Sequence, residues 1–185
     1  MLSSKKEEIN MIKRRSQIET RVLEDMAGYI CACARTAPKT RGIDNLEIIA
    51  LTGDTVKRLR PKMTAIAKRD NRPSCERDAN SLKYITAAVV IGTTTGPLGL
   101  NCGFCNYSDC RALKKSGGVC VYNSMDLGIA LGSAASLAGR LHIDSRLMYS
   151  IGKAAMELRL FKKNVKMAIG IPLSISGKNP FFDRK

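Results

Sequence analysis

Four cysteines carry the sharpest chemical signal in the sequence. Cys102, Cys105 and Cys110 follow the pattern CxxCxxxxC, and Cys120 comes after nine further residues. Two close ligands, a third within reach and a fourth on a flexible return are how a chain wraps one metal centre. Gly103, Gly117 and Gly118 lie among them, and glycine lets the backbone take positive φ and approach sulfur closely. Four thiolates suit zinc or an iron–sulfur cluster equally well on ligand softness, so the donor set alone leaves both open.

The remaining reactive residues read differently. Seven cysteines are present, and Lys5, Lys6, Glu7 and Glu8 stand where an export signal needs an apolar core. A cytoplasmic protein is therefore expected, in which cysteines are metal ligands or free thiols rather than disulfides. Cys31 and Cys33 are two apart on a helix and point to nearly opposite sides, which suits small buried hydrophobes. Cys75 falls in a turn-like segment after Pro73 and is the one rival to Cys120 as fourth ligand. His142 is the only histidine; Asp144 nearby can orient it as a base, and a place beside a helix cap is the simpler role. Gly96-Pro97-Leu98-Gly99 lacks the lysine and spacing of a phosphate loop.

A chain of 185 residues, 44% hydrophobic and 25% charged, can bury a real core, so one domain spanning 1–185 is expected. The most apolar stretch, 125–141, contains Asp126 and Arg140 and is too short to span a membrane. The net charge of +15 is spread over both halves, and the few aromatics are not interleaved with basic residues. That argues against a nucleic-acid platform and for attraction to acidic proteins or phosphate-bearing cofactors.

These groups must be positioned by helices and strands. Ser4 with Glu7 forms a capping box, and Ile9, Ile12, Ile18, Val22, Met26, Ala27 and Ile30 recur at helical spacing, so a long first helix runs to about Arg35. Pro38 and Gly42 break it, and residues 46–52 read as a strand. Residues 55–68 read as a second helix and 78–84 as a short one. The apolar run 87–92 suits a buried central strand. Residues 93–124, rich in Gly, Cys, Asn and Ser, read as one long loop whose missing core contacts a metal site would replace. Helices over 125–139 and 145–160 and a last strand over 165–171 follow. On the 125–139 helix, Gly128, Gly132 and Ser136 form one stripe and Ala130, Ala134 and Ala138 another. Interior glycines cost helix stability, so a close neighbour is expected there.

Asn101-Cys102-Gly103-Phe104-Cys105-Asn106-Tyr107-Ser108-Asp109-Cys110 resembles the CGxCGYxxC ligand segment of one class of 4Fe-4S domains, with Asn106 in place of the second glycine. A wider resemblance rests on Ala34-Arg35-Thr36-Ala37-Pro38-Lys39, Gly42-Ile43-Asp44-Asn45-Leu46, Asp126-Leu127-Gly128-Ile129-Ala130, Ile171-Pro172-Leu173-Ser174 and Phe182-Asp183-Arg184. In that order these motifs resemble an uncharacterised prokaryotic family described as ferredoxin-domain-containing proteins. The resemblance implies a cluster, 4Fe-4S by analogy, at Cys102, Cys105, Cys110 and Cys120.

A fainter resemblance is to FMN-dependent nitroreductases. It implies flavin-binding roles for Arg14 and Ser16, for Arg35 and Lys39 in the Ala37-Pro38-Lys39 loop, and for Lys178 and Arg184. Ile18 and Lys39 depart from the Arg and Ser of that pattern, and its Asn-x-Gln-Pro-Trp segment is absent, so the fold is carried further than flavin binding. The expected architecture is α+β and nitroreductase-like, helices around a small central sheet with the Cys-rich loop inserted, pairing as a homodimer. The leading function is electron transfer with an acidic carrier such as a ferredoxin or flavodoxin. The alternatives are an FMN-dependent oxidoreductase fed by the cluster, and a protein whose zinc site only folds the loop.

Overall fold

A computed structural model describes residues 15–182. The capping box at Ser4 and Glu7 lies outside the described residues, and helix α1 is described over Arg15–Thr36. A short 3-10 turn, Thr40–Gly42, leads into strand β1, Leu46–Thr52. Helices α2 (Gly53–Lys57), α3 (Leu59–Arg69) and α4 (Pro73–Ser81) precede β2, Ala87–Thr93. Then come α5 (Cys110–Ser116), α6 (Val121–Arg140), the two-residue β3 (Asp144–Ser145), α7 (Tyr149–Glu157) and β4 (Met167–Ser174).

The four strands form one antiparallel sheet in the order β1-β2-β4-β3. Strand β2 is central and buried throughout, which is why its sequence is a continuous apolar run rather than an alternation. Its side chains still divide by the pleat. Ala88 and Val90 join Leu59, Met63, Ile66, Cys75, Ala79, Ile151 and Ala155 from α3, α4 and α7. Ala87, Val89 and Ile91 join Leu23, Ala27, Ile30 and Ala34 of α1 and Leu127, Ala130, Leu131, Ala134 and Ala138 of α6. Each buried Val or Ile there contributes about 1.5–3 kcal/mol, and the sheet is held between two helical layers. The α+β expectation of helices around a small central sheet thus matches the observed layering.

Helix α7 lies almost on the backbone of β4. A Cβ at Gly152 would stand 1.8 Å from the Ala168 carbonyl oxygen, and one at Gly170 would stand 2.0 Å from Ile151 Cγ2. Ion pairs brace the outer edge of that layer: Arg69 and Lys62 grip Glu157, and Lys153 grips Asp70.

Four expectations are corrected. The 55–68 helix is two helices, divided at Arg58, whose φ of −70° and ψ of −20° remain helical and leave no breaker in the sequence to read. The 78–84 helix is instead α4, starting at Pro73, and Cys75 sits buried in it rather than in a turn; proline is well suited to the first helical turn. Cys31 and Cys33 are half-buried, with Cys33 Sγ 3.3 Å from Ser133 Oγ on α6. Residues 93–124 are not structureless, since α5 and the first turn of α6 lie inside them. Among the described residues no helix is long and apolar enough to cross a membrane.

Candidate metal centre

After β2 the chain leaves the sheet and returns through α5 to the start of α6. The excursion is tied at both ends. The Cys120 N–H donates to the Thr95 carbonyl at 3.0 Å, joining the returning segment to the departing one. Farther out, the Asn101 side chain accepts from the Cys110 N–H at 2.9 Å while the Asn101 N–H points at Cys110 Sγ at 3.3 Å. This reciprocal pair closes the loop that carries Cys102 and Cys105. Asn101, Gly103 and Asn106 all have positive φ, at 48°, 74° and 63°, values that Gly and Asn tolerate best. The Asn106 N–H closes a turn onto the Gly103 carbonyl at 2.9 Å.

Helix α5 begins at Cys110 because Asp109 caps it, its carboxylate accepting from the Ala112 N–H at 2.7 Å. It ends at Gly117, in the left-handed region at φ 69°. Gly118 is closely packed: a Cβ there would stand 2.7 Å from Leu113 Cδ1 and 2.9 Å from Tyr107 Oη, so those side chains would have to shift. Cys120 is the N-cap residue of α6. Two of the four thiols therefore stand at helix N-termini, where the aligned peptide dipoles favour negative charge.

Cys102, Cys105, Cys110 and Cys120 line one cavity, together with Leu98, Leu113, Phe104, Tyr107 and Tyr122. Cys102 is exposed, Cys105 and Cys110 are half-buried, and Cys120 is buried. Phe104 stacks on Tyr122 with ring centroids 5.8 Å apart. Cys75, the rival fourth ligand, is instead in the core between α3, α4 and α7. Among the described residues no three His, Cys, Asp or Glu side chains converge closely enough for a single ion.

Beneath the cavity lies a buried polar layer that sequence reasoning did not single out. Asn123, fully buried, accepts from Asn45 Nδ2 at 2.9 Å and donates to the Gly96 carbonyl at 2.7 Å. Asp126, also buried, accepts from Thr40 Oγ1 at 2.9 Å and from the Thr40 N–H at 3.1 Å. Arg41 Nη1 donates to the Leu98 carbonyl at 2.7 Å. The turn after α1 and the entry to the cysteine loop are thus one hydrogen-bonded unit. Its signal in the sequence is two polar residues, Asn123 and Asp126, three apart near the start of a mostly apolar helix.

Of the residues assigned to flavin, Arg14, Arg184 and the side chain of Ser16 lie outside the described residues. Arg35 pairs with Asp44 and donates to the Leu46 carbonyl. Lys39 Nζ donates to the carbonyls of Arg35 at 2.5 Å and Ala37 at 2.8 Å, closing the end of α1. Lys178 follows β4, its carbonyl accepting from Ser176 Oγ. Among the described residues of this set, Arg35 and Lys39 are brought together, next to the Thr40–Asp126 contact. His142 is in an exposed turn after α6 at φ 55°, and Asp144 accepts from Asn179 instead of orienting it.

Residues 116–184 match a family described as uncharacterized proteins containing a ferredoxin domain. An uncharacterized protein of Archaeoglobus fulgidus is 39% identical over 160 residues, covering 82% of this chain and 85% of the relative. The chain belongs to this ferredoxin-domain family. The family match includes Cys120 and begins after Cys110. Solved structures resemble the family member's fold at low identity. An FMN-dependent nitroreductase of Mycobacterium smegmatis has a TM-score of 0.58 at 10% identity, covering 83% of this chain and 78% of its own. A nitroreductase with bound FMN from Desulfitobacterium hafniense scores 0.57 at 14% identity, covering 85% and 81%. A BluB-like flavoprotein of Clostridium difficile scores 0.56 at 16% identity, covering 84% and 82%. The fold of this ferredoxin-domain protein is nitroreductase-like.

Proposed function

We propose that the chain is an iron–sulfur electron-transfer protein, with Cys102, Cys105, Cys110 and Cys120 as ligands of a cluster of the 4Fe-4S type. The observation that carries this reading is that all four thiols line one cavity. The donor set fits such a group. Thiolates are its usual ligands, and their negative charge is met by the N-termini of α5 and α6 and by the Asn101 N–H aimed at Cys110 Sγ. Leu98 and Leu113 are buried beneath and Phe104 stacks on Tyr122 at one side, so water is kept from Cys120 while Cys102 stays open to it. A cluster bound there supplies a centre that gains and loses one electron; the residues around it hold, orient and shield it.

Anaerobic purification with iron, sulfide and zinc quantified tests the proposal. Iron and sulfide in near-equal amounts, lost on Cys102→Ser, Cys105→Ser, Cys110→Ser or Cys120→Ser and kept on Cys75→Ser, are expected. One zinc per chain without sulfide refutes it and supports the structural zinc site instead.

A second reading has its own support. The fold is that of flavoproteins, and the turn holding Arg35 and Lys39 is hydrogen-bonded to the cysteine loop through Thr40–Asp126 and Arg41–Leu98. An FMN beside that turn would exchange electrons with the cysteine site, making the protein a flavin oxidoreductase. It requires a flavin absorption band in the purified or reconstituted protein, weakened by Arg35→Ala. Pairing of two copies would bury Met125, Gly128, Ile129, Gly132 and Ser136, which lie exposed along α6; sedimentation of the wild type against Gly132→Leu tests it.

A further inference from the structure

We infer that the face around Cys102 is a docking surface for an acidic electron-carrier protein. The centre of this face is apolar. Phe104 is 66% exposed, and Leu100, Tyr107 and Val119 are exposed beside it. Leu100, Phe104 and Tyr107 line the same cavity as the four thiols, with Cys102 the exposed member. Large apolar side chains left in solvent on one short loop signal a surface that is covered by something.

The rim is cationic. Arg111, Lys114 and Lys115 are exposed on α5, the helix that carries Cys110. Arg41 joins them, its guanidinium lying against the Leu98 carbonyl and Gly99. From Ala79 to Met125 the sequence contains a single acidic residue, Asp109, and its carboxylate is engaged as the cap of α5. An apolar centre within a one-signed polar rim is the anatomy of a protein–protein contact, and its charge complement is an acidic partner. Phe104 and Tyr107 are aromatic, but Leu100 and Val119 beside them are aliphatic and offer a nucleic acid no stacking, so the mixed apolar centre suits a protein better and the oligonucleotide becomes a competitor in the test. Electron transfer weakens steeply with distance, so a partner seated on Phe104 and Leu100 is placed where the shielded thiol cavity comes nearest to solvent.

This inference rests on the iron–sulfur reading for its purpose, and its test is arranged to be independent of it. Binding of a plant-type ferredoxin, an acidic 2Fe-2S protein, to the full chain is measured by titration calorimetry, with iron and sulfide in the same preparation quantified separately. Binding should weaken as ionic strength rises past roughly 0.1 M, where the Debye length is about 10 Å. Lys114→Glu with Lys115→Glu should raise Kd about tenfold or more, and the milder Arg111→Gln with Lys115→Gln should raise it less. Phe104→Ser should weaken binding without removing its salt dependence. Unchanged affinity in both charge variants, or no binding at low salt, overturns the docking surface whatever the iron content. Self-association of the wild type that Phe104→Ser abolishes, or displacement of the ferredoxin by a short oligonucleotide, assigns the face to another occupant and overturns it as well. Absence of iron and sulfide bears on the cluster alone.

Discussion

Replacing Asn123 by alanine tests the claim that the cysteine loop is held from below. Its side chain makes two hydrogen bonds, to Asn45 and to the Gly96 carbonyl, from a position with no solvent exposure. A net hydrogen bond is worth about 0.5–1.5 kcal/mol. Asn45 is half-exposed and Gly96 exposed, so both abandoned partners regain water and the cost of orphaning them stays small. The void left by the amide adds to the loss, for a total of about 2–3 kcal/mol. For a chain of this size that lowers Tm by roughly 4–12 °C. Asn45→Ala breaks only one of the two bonds and should cost about 1 kcal/mol. The double variant should cost less than the sum of the two, because they share that bond. Chemical denaturation followed by circular dichroism gives the energies, and the rate of iron loss to a chelator gives the effect on the site. Freeing Gly96 loosens the entry to the loop, so a cluster bound as proposed should be lost faster from the variant than from wild type. Wild-type stability in Asn123→Ala, or strict additivity with Asn45→Ala, would refute the reasoning.

Three further outcomes are expected. Gly152→Ala forces a methyl into the Ala168 carbonyl at 1.8 Å and should cost about 3 kcal/mol or more by denaturation, since the obstacle is backbone and not a movable side chain. In the metal-free chain, iodoacetamide followed by mass spectrometry should label exposed Cys102 first and buried Cys75 last; Cys31 should be slow, because burial pushes its thiol from 9.0 up to about 11, against the pull of Arg35. Glu157 is held at about 2, chiefly by its hydrogen bond from Arg69 and then by Lys62, against 4.5 for a free side chain. A depressed folded value means this stabilisation is full above about pH 4.5 and is lost as pH falls towards about 2; Glu157→Gln should flatten the stability–pH curve in that window.

The strands were the most readable part of the chain. The 46–52 strand coincides with β1 because Pro38 and Gly42 before it and Gly53 after it mark its ends, and the 87–92 run matches β2 because a strand buried on both faces needs no alternation. The cysteine loop was the least readable. Helix α5 is short, and its apolar content amounts to Leu113 under a row of cations, so no periodicity betrays it. The start of α6 was placed late for a related reason. Asn123 and Asp126 occupy buried positions where the pattern wants apolar residues, and a polar side chain that is satisfied only by distant partners cannot be told from a solvent-facing one. The two-residue β3 is set by pairing with β4, a long-range contact with no local code.

That same polar layer bears on which function is carried. A loop whose only duty was to wrap a zinc ion could be fastened by its ligands alone, since metal bonds supply folding energy directly. Here the loop is fastened independently: Cys120 to Thr95, Asn123 to Gly96 and Arg41 to Leu98 hold its base through hydrogen bonds that involve no thiol. Phe104 and Leu100 meanwhile stand in solvent at its outer end, at a cost in exposed apolar surface that a purely structural knuckle has no reason to bear. A rigid base with an exposed, apolar tip is what a site needs if it must keep its geometry while a partner approaches and leaves. These features accord with the proposed electron-transfer role, in which the outer face of the site is where a partner would meet it.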